Sequence, residues 1–164
     1  MHRIVTLEAG ALIANVRSPA FAHEWVEFDA TRQDEVAERL AGATIAIVNK
    51  RLLTADILAG LPQLQMVAIA ATGYNNIDLE ACRARGIVVS NVRGYARETV
   101  PEHVLALLLA LSRQIGPFHQ SVAAGRWQHS EQFCYFDFPI RDLAGQTLGI
   151  LGSGTLGDGV ARLA

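Results

Sequence analysis

The chain has 164 residues, 51% hydrophobic and 18% charged, with a formal net charge of −2, which supplies a globular core and gives no basic field to attract nucleic acid. Its longest uninterrupted apolar run, Val104 to Leu111, is too short to span a bilayer, and the first residues, MHRIVTLEAG, lack a signal-peptide layout. A soluble, cytoplasmic protein is therefore expected, with no membrane or nucleic-acid partner and with Cys82 and Cys134, far apart and outside any CxxC, as reduced thiols.

Strand-like and helix-like runs alternate from the start, which predicts an α/β fold with a parallel sheet. Arg3 to Leu7 is β-branched and Glu24 to Phe28 alternates, so both read as strands. The segment 31–42 reads as one helix, capped by Thr31, with Asp34 three residues on, Val36, Ala37 and Leu40 on one face, and Gly42 at its end. Thr44 to Asn49 and Leu64 to Gly73 are nearly continuous apolar runs, as expected of strands buried on both faces. Between them lies a short helix capped by Thr54. A further helix starts at Asp78 and stops at Gly86, and Ile87 to Asn91 is the next strand.

The pattern then changes. Residues 98–116 read as one long helix, with Thr99 and Glu102 at capping-box spacing and Pro101 tolerated in the first turn. Its middle is apolar on every side, which predicts burial all round, against a sheet or a second subunit. Residues 123–145 show no sustained period and carry Trp127, Phe133, Tyr135, Phe136 and Phe138, so they read as an irregular arm. Thr147 to Leu151 is a predicted strand that runs into a glycine-rich loop.

In that loop Gly152, Gly154 and Gly157 give G-x-G-x-x-G, preceded by the predicted strand and followed by a segment that can open a helix. The first glycine allows a tight turn, the second lets backbone approach a pyrophosphate, and the third lets helix and strand pack closely. Ser153, Thr155 and Leu156 would lend backbone N–H groups, and the helix dipole favours the negative charge. No G-K-[ST] follows, so a P-loop is disfavoured. The acidic residue that this fingerprint places about 20 positions further on, for the ribose, has no place here, because the sequence ends seven residues after Gly157. None of His2, His23, His103, His119 and His129 pairs with an acid at a recognisable spacing, and no metal-ligand constellation is present.

Several stretches taken together, Ala46 to Lys50, Ala70 to Val92, Thr99 to Leu111, Ala124 to Trp127 and Arg141 to Gly157, resemble the D-isomer-specific 2-hydroxyacid dehydrogenases, within them the glycerate dehydrogenase/hydroxypyruvate reductase branch. The resemblance runs along essentially the whole chain in the family's order. It implies a flavodoxin-like substrate-binding lobe at residues 1–95 and, at 96–164, the start of an incomplete Rossmann NAD(P)-binding domain. It also implies NAD or NADP as cofactor, a small 2-hydroxy or 2-keto acid as substrate, and a homodimer formed through the helix beginning near Val100 and the arm after it. Thr72, Gly73 and Tyr74 match the loop whose N–H groups hold the substrate carboxylate, a task that adjacent strand-end donors suit. Asn49 and Lys50 match a strand end on the substrate side, although Lys50 reads equally as a solvated charge. Val100 matches a position on the nicotinamide side of the cofactor.

The family's catalysts, an Arg that polarises the carbonyl and a Glu–His pair, belong after the glycine loop and match nothing in these 164 residues. The sequence therefore reads as the N-terminal half of a dehydrogenase, expected to show no turnover by itself. A second reading is a non-catalytic fragment or pseudoenzyme that serves as a dimerisation or binding module. A third, another nucleotide fold such as a methyltransferase, is opposed by the ATGYNNID and TVPEH stretches.

Overall fold

Five short apolar runs pair into one sheet. The computed structural model describes residues 1–164, which divide into two compact units, Met1–Gly94 and Tyr95–Ala164. In the first, β1 (His2–Thr6), β2 (His23–Glu27), β3 (Ile45–Val48), β4 (Met66–Ile69) and β5 (Val88–Asn91) run parallel in the order β2-β1-β3-β4-β5. This is the expected flavodoxin-like order, in which the chain leaves β1 toward one side of the sheet and β3 toward the other.

The register sets Val5, Ala46, Val67 and Val89 side by side on one face. With Val48 and Ile69 they meet Val36, Leu58 and Cys82 from α1 (Val36–Arg39), α2 (Ala55–Ala59) and α3 (Leu79–Ala84) in a single buried cluster. Each fully buried side chain of this size contributes about 1.5–3 kcal/mol. The other face is less covered: Ile45, Ile47, Met66 and Ala68 are half-buried and Val88 is exposed. β3 and β4 are thus sealed on one face only, not on both as their apolar runs predict.

Local signals hold for two helices and fail for a third. Thr54 Oγ1 accepts from the Ile57 N–H at 3.4 Å, and Asp78 Oδ1 from the Ala81 N–H at 2.9 Å, so both predicted caps form. The predicted helix at 31–42 is instead a 3₁₀ turn, Gln33–Glu35, followed by the single turn of α1. Thr31 does not cap it. Its hydroxyl is buried and donates to the Leu7 carbonyl at 2.5 Å, while Glu35 accepts from the Arg32 N–H at 2.8 Å.

The second unit holds α4 (Thr99–Ser112), α5 (Ile115–Ala123) and α6 (Thr155–Leu163). The single long helix predicted over 98–116 breaks at Gln114, which adopts φ 53°, a left-handed conformation that ends α4. The Thr99–Glu102 capping box does not form, because helical turning has begun earlier: Val100 donates to the Ala96 carbonyl and Glu102 to that of Glu98. Within the single chain α4 leaves Leu107, Leu109 and Leu111 51%, 45% and 72% exposed. Residues 147–151 pair with no strand of their unit, so the predicted strand before the glycine loop lacks the ladder that would define it.

Residues 124–145 form neither helix nor strand. Arg126 grips Asp137 through two hydrogen bonds of 2.7 and 3.0 Å and stacks over Tyr135, which packs with Phe138 around Phe118. Phe133 and Phe136 project into solvent.

Candidate functional site

At the carboxyl ends of β3, β4 and β5 the register aligns Val48 with Ile69 and Ile69 with Asn91, so the loops that follow open along one edge of the sheet. The turn after β4 carries Thr72, Gly73 and Tyr74, all exposed. Their backbone N–H groups donate to no protein acceptor. The turn is nevertheless held. Thr72 donates its hydroxyl to the Val92 carbonyl at 2.9 Å, and the Asn91 amide donates to the Thr72 carbonyl at 2.8 Å. The peptide after Thr72 is trans, so fixing its carbonyl toward Asn91 directs the Gly73 N–H the opposite way. The Thr72 hydroxyl is already committed as a donor, which leaves the backbone N–H groups as the turn's free donors to an anion.

The loop after β3 is arranged differently. Glu8 Oε2 accepts from the N–H groups of Asn49 and Lys50 at 2.8 Å each and of Arg51 at 3.2 Å. Arg51 Nε lies 3.4 Å from Glu8 Oε1, and the Glu8 side chain is only 10% exposed. The Asn76 amide donates to the Arg51 carbonyl at 3.0 Å and reaches that of Asn49 at 3.4 Å, while Gln33 exchanges two 2.9 Å hydrogen bonds with the Leu52 backbone. The backbone donors of Asn49 and Lys50 are therefore spent inside the protein. What these residues present outward is the half-buried Asn49 side chain and the exposed Lys50 chain. Burial pushes the Glu8 carboxyl up, but the N–H groups of Lys50, Asn49 and Arg51 and the Arg51 charge outweigh it and hold the group below its ordinary value. Sequence reasoning missed Glu8, Gln33, Asn76 and Asn91. The one signal available was an acid immediately after a predicted parallel strand.

In the second unit the three loop glycines meet three separate demands. Gly152 sits at φ 106°, where a side chain would be strained. An added Cβ on Gly154 would meet nothing within 4 Å, leaving its surface open to a ligand. On Gly157 it would lie 2.2 Å from the Gly152 carbonyl oxygen, so only glycine fits. Gly154 is the N-cap of α6 and offers no side chain, and the first intrahelical donor is Asp158, to the Gly154 carbonyl at 2.9 Å. The N–H groups of Thr155, Leu156 and Gly157 are thereby left open, and Ser153, Thr155 and Leu156 are exposed beside them. Open donors, a bare glycine surface and the positive end of a helix suit a pyrophosphate. Gly159, which looks like a poor helix residue, is explained by contact: its Cβ would lie 2.6 Å from Pro101 Cγ on α4. Val100, on the first turn of α4, is 37% exposed.

The histidines that make hydrogen bonds use uncharged partners: His2 meets Thr44, His23 meets Ser18 and the Phe21 carbonyl, and His129 meets the Gly125 carbonyl. No group of three or more His, Cys, Asp or Glu is placed to hold a metal ion, and no helix is long and apolar enough to cross a membrane.

A flavodoxin-ordered parallel sheet, followed in the second unit by a glycine loop that opens a helix, defines an α/β protein carrying the G-x-G-x-x-G spacing. Residues 8–155 match the D-isomer specific 2-hydroxyacid dehydrogenase catalytic domain, and the chain belongs to that family. It is 49% identical over 163 residues to a glycerate dehydrogenase of Methylorubrum extorquens, an alignment covering 99% of this chain and 52% of the relative. It is 31% identical over 134 residues to a hydroxypyruvate reductase of Blautia hydrogenotrophica, covering 82% of this chain and 42% of that one. An NADPH-dependent glyoxylate/hydroxypyruvate reductase of Sinorhizobium meliloti, solved with NADP and malonate, superposes with a TM-score of 0.72 at 27% identity, over 99% of this chain and 49% of its own. The chain spans about half the length of the curated relatives it matches most fully.

Proposed function

We propose that the protein interconverts a D-2-hydroxy acid and its 2-keto acid with NAD or NADP, the pair being D-glycerate and hydroxypyruvate or a close analogue. The observation that carries this reading is the 49% identity to a glycerate dehydrogenase along nearly the whole chain. The geometry adds roles. The open N–H groups of Thr72, Gly73 and Tyr74 take the substrate carboxylate, with Asn49 and Lys50 lining the same sheet edge. Gly152, Ser153, Gly154, Thr155, Leu156 and Gly157 take the pyrophosphate through backbone donors, and Val100 meets the nicotinamide side. The bound dinucleotide supplies or accepts the hydride. Polarising the carbonyl and moving the proton fall to the family's Arg and Glu–His pair, which these 164 residues do not include.

Oxalate has the planar carboxylate end of such a substrate. Titrated into the isotope-labelled chain, it is expected to shift the Thr72, Gly73 and Tyr74 amides saturably, and NADH or NADPH those of residues 152–157. Asn91→Ala frees the Thr72 carbonyl and is expected to weaken oxalate about fivefold, the worth of roughly one hydrogen bond, with Ser90→Ala as an unaffected control. Hydroxypyruvate-dependent loss of NADH by the 164 residues alone should not exceed buffer background. Oxalate shifts elsewhere in the chain would remove the carboxylate assignment, and turnover would locate an acid–base group within these residues.

The exposed Leu107, Leu109 and Leu111 favour a second reading, compatible with the first, in which α4 joins two copies of the chain. Sedimentation as a monomer at all concentrations would rule it out.

A further inference from the structure

We propose that Glu8 is a built-in ligand: its carboxylate fills an anion nest made by the chain's own backbone at the carboxyl ends of β1 and β3, and by filling it leaves the Thr72–Tyr74 turn to receive an incoming carboxylate. The second half of this statement rests on the function proposed above; the first does not.

In a sheet of this order the crevice between β1 and β3, beyond their carboxyl ends, is where the chain diverges and where a ligand is received. β1 and β3 pair through Thr6 and Ile47, and the Leu7 N–H donates to the Ile47 carbonyl at 3.0 Å. Glu8 is the next residue, so it stands at the mouth of that crevice.

Three successive N–H groups, from Asn49 to Arg51, converge there on one oxygen, within 2.8–3.2 Å. Convergent backbone donors of this kind hold anions in other proteins. Arg51 adds a positive charge, with its buried Nε 3.4 Å from Glu8 Oε1 although not aligned to donate to it. An exposed ion pair would contribute little. Glu8 is almost covered, and its principal partners are backbone.

The nest is also braced from outside. Asn76 holds the carbonyls of Asn49 and Arg51, and Gln33 holds both backbone groups of Leu52. The donors therefore have a scaffold that does not depend on Glu8. Removing the carboxylate should leave a nest able to take a small one from solution.

The test is chemical rescue. Glu8→Ala is expected to lower the melting temperature by several degrees. Acetate at tens of millimolar should restore most of the loss saturably and shift the Asn49, Lys50 and Arg51 amides. Acetate should do neither in the unaltered chain. An alanine variant that melts like the parent, or that gains no more from acetate than the parent does, overturns the proposal. If Glu8→Ala folds neither alone nor with acetate, the unaltered chain decides. Its amides at 49, 50 and 51 should shift with one common midpoint as acid is added, and three unrelated responses overturn the proposal. Oxalate separates the two readings. Saturable shifts of all three amides 49–51 in the unaltered chain, without shifts at 72–74, show an open nest and overturn this proposal. Shifts at neither loop defeat the substrate-carboxylate assignment while the acetate result still stands.

Discussion

Gly157→Ala is expected to unseat the start of α6 and weaken dinucleotide binding at least tenfold. The added Cβ would lie 2.2 Å from the Gly152 carbonyl oxygen and 3.5 Å from Ile150 Cγ2. The first neighbour is backbone, so no side-chain rotation relieves it. The turn must open or the helix must back away, at a cost on the order of 1–3 kcal/mol. Either movement disperses the N–H groups of Thr155, Leu156 and Gly157 that face the proposed pyrophosphate. Amide exchange along Thr155–Leu163 should accelerate along with the loss of affinity. Gly154→Ala gives the contrast. Its backbone, at φ −93° and ψ −178°, is extended and open to any residue, and its Cβ meets nothing within 4 Å. That variant should keep the exchange protection of α6 yet lose dinucleotide affinity, because the methyl group stands where the ligand approaches. Protection of α6 unchanged in Gly157→Ala would show that the turn yields to the methyl group without disturbing the helix.

The contrast between these two glycines shows what a sequence can convey. The G-x-G-x-x-G spacing is local, so the turn, the helix after it and the separate reason for each glycine can be read from the order of residues alone. The β-branched runs are local too, and all five strands of the sheet lie on predicted runs. Caps depend on more. Thr54 and Asp78 cap because nothing else claims their oxygens, whereas the Thr31 hydroxyl is claimed by the Leu7 carbonyl, 24 residues away. The break at Gln114 does carry a signal, Gly116 and Pro117 two and three residues on, but the left-handed turn falls on a glutamine ahead of both. The apolar middle of α4 was legible, but what would cover it was not, since periodicity reports apolarity and not the partner. Glu8 is the clearest case. Its partners lie 41 to 43 residues along the chain, and no repeat or spacing connects them. A β–loop junction that places an acid beside the amides of a neighbouring strand end becomes visible only when the strand order is known.

That same carboxylate makes stability depend on acidity in a way that Glu8→Gln should abolish. The group's folded value lies below its ordinary value of 4.5, because its N–H partners and Arg51 outweigh the upward push of burial. The unfolded chain therefore takes up the proton first as pH falls. The contribution is fully present above the ordinary glutamate range and is lost progressively as pH drops through the lower folded value. Arg51 is the cation beside the carboxylate. Asp34 and Asp137, held low by hydrogen bonds from Arg32 and Arg126, act in the same sense, but both are exposed and solvent screens them. Glutamine keeps the shape and one acceptor oxygen but gives up the charge, which at neutral pH should cost about 1.5–3 kcal/mol for a charged acceptor this well enclosed. Urea unfolding from pH 7 to pH 3 should thus show two curves, the parent above the glutamine variant, that converge as the acid arm is descended. Parallel curves would mean that the amides of Asn49, Lys50 and Arg51 are satisfied equally by a neutral acceptor, and that the charge on Glu8 contributes nothing to holding that loop.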